Sequence, residues 1–303
     1  MLSQSQGALT VNRNPIFFVG LVYYPNYLDY FIARIEYLHK LFKFDAVRIV
    51  LNNPTIARAE LERLCDRKWP NFAVLIHDNV GQEFGGYQRG VDNFLSVSST
   101  FDLVVANDTL DIHHRTYTAG LRSFCHTFCG AEEPNIFVGK IDHYRRVLRI
   151  DGLATARWVR SNFFALDSEA LEAIKFKIYD ESVNTLIFDT VIEDEFFSEA
   201  IGPELRNYLR NWLFVPTNDS WYKAAPLDVT NSRALAVKAR AILQEKYLSM
   251  RLSEAGTAFI SSDPSGMEKV VVLLRRRLEA MAVRARTKVQ LSGHRRASSG
   301  DHS

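Results

Sequence analysis

Ile16-Phe17-Phe18-Val19-Gly20-Leu21-Val22-Tyr23-Tyr24, closed by Pro25-Asn26, is an almost unbroken run of β-branched and aromatic residues. A run with no polar face for water predicts a strand buried on both sides, as in a parallel sheet covered by helices. The next segment supplies the cover. Between residues 27 and 42, Leu28, Phe31, Ile32, Ile35, Leu38 and Phe42 recur at steps of three and four, one apolar helical stripe with Asp29 in its first turn. The cycle repeats as a strand at 46–51, a helix at 55–67, a strand at 72–77, a helix at 86–96 and a strand at 102–106. Such alternation predicts an α/β fold built on a mostly parallel open sheet, doubly wound, whose ligand site lies at the carboxyl ends of the strands.

Past residue 110 the pattern becomes mixed. Helices are expected at 115–128 and 168–176 and strands at 136–140 and 158–165. Two long helical stretches, at 232–251 and from 267 to about 288, are separated by Ser261-Ser262-Asp263-Pro264-Ser265-Gly266. The expected organisation is a tail at 1–13, an α/β domain at 14–220, a helical region at 221–289 and a polar tail at 290–303.

The 303 residues carry 37 Lys+Arg against 35 Asp+Glu, a net charge of +2, so no global field draws the chain to nucleic acid. No apolar run approaches the ~18–20 residues needed to span a bilayer. Three cysteines are an odd number in a chain large enough to fold without staples, which predicts a reducing, cytoplasmic setting. Cys125 and Cys129 stand at i and i+4 on one predicted helix face. With no second thiol pair following, they read as packing residues rather than a zinc site.

Polar clusters follow four of the strands immediately: Tyr24-Pro25-Asn26, Asn52-Asn53, His77-Asp78-Asn79 and Asn107-Asp108-Thr109. Any one of them is ordinary turn chemistry, but four at one sheet edge point to a site. The segment Asp78-Asn79-Val80-Gly81-Gln82-Glu83-Phe84-Gly85-Gly86-Tyr87-Gln88-Arg89-Gly90 sets four glycines at a strand-to-helix junction, where backbone N–H groups can face an anion.

By order and spacing these motifs resemble the inverting GT-A glycosyltransferases, in particular the family-2-like enzymes and their rhamnan-synthesis branch. The resemblance covers about residues 14–205. It implies a GT-A-like, Rossmann-like α/β fold with a helical C-terminal extension, and a hexosyltransferase that moves a sugar from a nucleotide-sugar donor to a glycan or lipid-linked acceptor in surface polysaccharide synthesis. Tyr24, Asn26, Asn52, Asn53, Asp78, Asn79, Gly81, Gly85, Gly86, Arg89, Asn107 and Asp108 are implied as donor-binding residues. Asp108 is also the implied ligand of a divalent cation, Mn²⁺ or Mg²⁺. Glu193-Asp194-Glu195 falls where the family keeps its catalytic base, which makes Asp194 the first choice and Glu195 the second; where an Arg often follows that pair, this chain has Ala200. Chemistry asks for the same thing, since displacement at an anomeric carbon needs a carboxylate to deprotonate the acceptor hydroxyl. The alternative is a GT-A-like module that binds nucleotide or glycan without turnover.

Trp212, Phe214, Trp221 and Tyr222 either stack on an acceptor sugar or pack the C-terminal part onto the sheet. Residues 266–296 hold nine basic residues against Glu268 and Glu279, beside an apolar stripe of Val270, Val271, Leu274, Leu278 and Met281. The segment either packs that stripe on the domain or makes a peripheral contact with an anionic membrane.

Overall fold

The computed structural model describes residues 14–65, 68–112, 116–218 and 220–263. The expected tails and the basic stretch at 266–296 lie outside them.

The opening run forms β1 (Ile16–Val22), buried along its whole length. Helix α1 (Leu28–Phe42) lays its predicted stripe on the sheet, with all six stripe residues buried, and ends at Lys43 in the left-handed region. β2 (Ala46–Leu51), α2 (Arg58–Cys65), β3 (Phe72–Ile76), α3 (Gln82–Leu95), β4 (Asp102–Asn107) and α4 (Tyr117–Cys129) follow in order. Helix α3 begins four residues before the expected position.

The rest departs further from expectation. β5 (Ile136–Ile150) and β6 (Leu153–Leu166) are far longer than the expected strands and form one hairpin, which turns at Asp151 (φ 45°) and Gly152 (φ 82°). Positive φ at both turn residues matches the right-handed twist of paired strands. Short α5 (Ser168–Ala173) and α6 (Pro203–Leu213) follow, then α7 (Ser232–Glu254). Beyond α7 comes an unexpected strand, β7 (Ala258–Ser261).

Among the described residues the sheet has seven strands in the order β3-β2-β1-β4-β6-β5-β7, and β6 alone runs against the rest. The fold is therefore the expected α/β sheet, mostly parallel and flanked by helices. The chain leaves β1 toward β2 and β3 on one side and returns to β4 on the other, so the topological switch point lies between β1 and β4.

β6 pairs with β4 only from Phe163 to Leu166, opposite Ala106 to Leu103. The stretches before Phe163 and after Gly139 therefore project past the carboxyl edge, reaching about 30 Å at ~3.3 Å per residue. Three cores result. One lies under α1 and α4, and a second under α3 with Leu248 and Leu252 of α7. The third is built on the projecting hairpin from Leu148, Ile150 and Trp158, with Phe196, Phe197, α6 and the first half of α7.

Candidate active site

At the switch point Asp108 follows β4 and is 1% exposed. Its Oδ2 accepts the backbone N–H groups of Tyr23 (2.7 Å) and Tyr24 (2.6 Å), while its own N–H donates to Leu21 O (3.0 Å). The carboxylate thus clamps the turn leaving β1. Burial pushes its pKa up to about 6, against the lowering effect of those N–H donors. Asn107 beside it closes a local turn, its Oδ1 accepting from Thr109 N and Oγ1.

Asn52, buried at the end of β2, is the second centre. Its Nδ2 donates to Asn79 Oδ1 (3.1 Å) and Gln82 O (2.9 Å), and its Oδ1 lies 3.1 Å from His77 Nδ1. Burial lowers the His77 pKa; nearby Asp78 opposes the shift and Arg89 adds to it, so the ring is neutral at neutral pH. A neutral ring has two options. With Nδ1 protonated it donates to Asn52; with Nε2 protonated its Nδ1 accepts Asn79 N–H (3.2 Å) and Nε2 faces Asp78 at 3.6 Å. Asn53 ties the same edge to β1, its Nδ2 donating to Tyr23 O (2.7 Å). Asn26 is exposed in the turn at Pro25–Tyr27.

The glycines of the loop leave no room for a side chain. A Cβ on Gly85 would stand 1.9 Å from Val80 O, and one on Gly86 2.2 Å from Leu21 Cδ1 and 2.9 Å from Asn52 Oδ1. Gly81, at φ 73°, lies under the Tyr179 ring. They let α3 start almost in contact with the strand ends. Arg89 is exposed on α3.

Ser161, Glu245 and Lys246 at this edge were not anticipated. Ser161 of β6 gives its N–H to Glu245 Oε2 (2.7 Å) and its hydroxyl to Glu83 (3.3 Å), and its carbonyl accepts the buried Tyr87 phenol (3.0 Å). Lys246, its side chain 2% exposed, pairs with Glu245 at 2.9 Å and sits 3.5 Å over the Trp158 ring. Burial would raise the Glu245 pKa, but Lys246 and Ser161 outweigh it and hold the carboxylate ionised. Arg160 is fully engaged by Asp142 in two bonds of 2.8 and 2.9 Å. His77 carried a sequence signal, since it follows a strand directly. Lys246 carried none, because a lysine at a helical position reads as solvated until its partner strand is known.

Asp194 and Glu195 sit on a 3-10 turn (Glu193–Glu195) of the lobe on the projecting hairpin, not among the strand-end groups. Asp194 is 93% exposed and pairs with Arg210 of α6 at 2.8 Å, and Arg210 also reaches Glu193 at 3.3 Å. Trp212 and Trp221 stack within the lobe at 6.2 Å, and Phe214 is buried against Phe196 and Phe197, so these three pack. Tyr222 is 75% exposed, and its field contributes to raising the pKa of Tyr24, mainly a burial effect, so the lobe and the strand edge are neighbours there.

Among the described residues no three His, Cys, Asp or Glu side chains gather to hold a metal ion, and no helix is long and apolar enough to cross a membrane. No known family profile and no curated protein sequence matches the chain. Among solved structures, similarity extends to a 4-diphosphocytidyl-2C-methyl-D-erythritol synthase, at 15% identity over 57% of this chain and 83% of that one with a TM-score of 0.32. It extends also to a mannosyltransferase from Pyrobaculum calidifontis in complex with GDP-Man and Mn²⁺, at 10% identity over 88% and 81% with a TM-score of 0.39. Likeness at this level assigns no function. The fold and its polar edge define an α/β protein with a polar switch-point edge and a second, hairpin-borne lobe.

Proposed function

We propose that the chain is a glycosyltransferase that binds a nucleotide-sugar donor at the β1/β4 switch point and an acceptor against the hairpin lobe. The observation that supports it most is the buried Asp108 carboxylate clamping the Tyr23-Tyr24 turn at the edge where open α/β sheets receive ligands. The nucleotide lies over Tyr23–Asn26, Asn52-Asn53 and the loop from Asp78 to Gly86. As the acceptor hydroxyl attacks the anomeric carbon, the bond to the departing diphosphate breaks, and Asp194 takes the hydroxyl proton with Arg210 positioning its carboxylate. Glu195 is the second candidate for that role.

A divalent cation, Mn²⁺ or Mg²⁺, would meet one protein carboxylate here, Asp108, whose Oδ2 is already taken by two N–H groups. That donor set does not make a protein-held metal centre. The acceptor class we favour is a glycan or lipid-linked saccharide of surface polysaccharide synthesis. The basic stretch at 266–296 would then bring the chain to the inner face of the membrane; truncation after Gly266 should abolish co-sedimentation with anionic liposomes at low salt.

The deciding experiment is a thermal-shift screen of nucleoside diphosphates and nucleotide sugars, each with and without Mn²⁺ or Mg²⁺. A ligand at ~100 times its dissociation constant adds about 2.7 kcal/mol. Stabilisation by one nucleotide class, followed by slow donor hydrolysis, is the expected result. No response to any nucleotide refutes the reading.

A further inference from the structure

β5 and β6 fall out of step where the hairpin leaves the sheet. Gly139 stands opposite Phe164 and Ile141 opposite Val159, so Lys140 alone faces the stretch Arg160-Ser161-Asn162-Phe163. That is a bulge, a device that re-aims side chains and recurs beside active sites. Ser161 within it is tied by side chains: its N–H donates to Glu245 Oε2 (2.7 Å) and its carbonyl accepts the Tyr87 phenol (3.0 Å). Both anchors are themselves fixed, since Tyr87 is fully buried and Glu245 pairs with Lys246 at 2.9 Å.

The bulge adjoins the strand-end groups. The Ser161 hydroxyl donates to Glu83 Oε1 (3.3 Å), in the first turn of α3 and one turn before Tyr87. Burial raises the Tyr87 pKa and the fields of Glu83 and Asp108 add to it, while the Asn107 side chain bonds the phenol, so these groups surround one oxygen. Asn162 lies one residue past the last β4–β6 pair, Ala106 with Phe163, and hence level with Asn107. It is half-buried, and among the described residues its amide has no hydrogen-bond partner.

We propose that Glu83 and Asn162, set in place by the bulge, bind the hydroxyls of the transferred sugar and so select which sugar is used; this rests on the glycosyltransferase reading. Under that reading the nucleotide covers the ends of β1, β2 and β3 and the acceptor lies against the lobe raised by β5 and β6. The sugar between them therefore crosses the β4–β6 junction. A carboxylate accepts from two hydroxyls, and an amide both donates and accepts. A ring with a hydroxyl missing or inverted leaves one of these groups unpaired, which is how a polar pocket rejects a near relative of its substrate.

Wild type, Glu83→Gln and Asn162→Ala are titrated calorimetrically with UDP-glucose, GDP-mannose and dTDP-glucose and, in parallel, with UDP, GDP and dTDP. Each variant should weaken the nucleotide sugar that wild type binds by roughly 10–100-fold and leave the matching nucleoside diphosphate within about twofold. Circular dichroism and the unfolding midpoint should stay at wild-type values. Ser161→Ala, which removes only the hydroxyl that orients Glu83, should give a smaller loss of the same kind. Equal losses for nucleotide sugar and diphosphate, or no loss in either variant, overturn the proposal and leave the donor site standing. A wild type that binds none of these ligands refutes the glycosyltransferase reading and the sugar-binding roles with it.

Discussion

Replacing Asp108 by Asn separates what its carboxylate does for the fold from what it does for a ligand. The native carboxyl has its pKa pushed from 3.8 to about 6 by burial, so ionising it costs the folded state more than the unfolded one. The gap corresponds to about 3 kcal/mol at ~1.36 kcal/mol per unit, and Asp108 is too buried for solvent to screen it. The sign follows from the raised value. Stability from this group is complete below about pH 4 and declines as pH rises through about pH 6. Asn has the shape of the protonated acid and its carbonyl still accepts an N–H, but it carries no charge. Asp108→Asn should therefore match wild type near pH 4 and exceed it by up to ~3 kcal/mol near pH 8. Urea unfolding at a series of pH values measures the difference, and nucleotide titrations should show weaker binding by the same variant. A difference that is flat with pH, or a wild type more stable than the variant at alkaline pH, would refute the argument: the Tyr23 and Tyr24 donors would then stabilise the anion more than burial penalises it.

The remaining expectations are more local. Gly86→Ala places a methyl group against Leu21 and Asn52, and should cost roughly 1–3 kcal/mol in urea unfolding; unchanged stability would return this glycine to a ligand role. Lys246→Met leaves the half-buried Glu245 without its partner and should cost roughly 3–5 kcal/mol, much of it recovered by adding Glu245→Gln; a mild single variant would show that water reaches the pair. Because the His77 pKa is lowered, its neutral form supports the fold above about pH 6.5, and that support is lost as pH falls through the lowered value; His77→Gln should flatten this acid limb of the stability profile. Asp194→Asn should leave donor binding near wild type while slowing transfer roughly 10²–10⁴-fold; full turnover would move the role to Glu195.

The parallel half of the sheet was legible because burial on both faces leaves an unmistakable pattern. β2 runs over the expected residues, and β1 and β4 fall within a residue or two of expectation. The hairpin was harder. Arg145, Arg146 and Arg149 are exposed on β5, so no alternation of apolar and polar residues announces the strand there. The signal that was present, Asp151-Gly152, is the preferred pair for a two-residue hairpin turn. β7 is too short and too exposed to declare itself. The strand-end residues were readable one cluster at a time. What joins them was not: Asn52 meets Asn79 across 27 residues, Tyr24 meets Asp108 across 84, and Ser161 meets Glu245 across 84. Pairings at such separations depend on strand order, which local pattern does not encode.

Helix α7 has a mechanical consequence. Its first half, through Leu235, Ala239 and Leu243, is embedded in the lobe, and its last turns, through Leu248 and Leu252, are embedded under the sheet. The hairpin crosses the same divide as two continuous strands. The lobe is therefore held to the sheet by a rigid beam and a stiff ribbon rather than by a flexible strap, and swinging it as a body would tear apolar side chains out of one core or the other. Under the proposed function, adjustment to ligands of different size falls instead to the turn carrying Asp194 and the exposed stretch around Tyr222, which can be lengthened, shortened or recoloured in charge while the frame that aims them stays fixed.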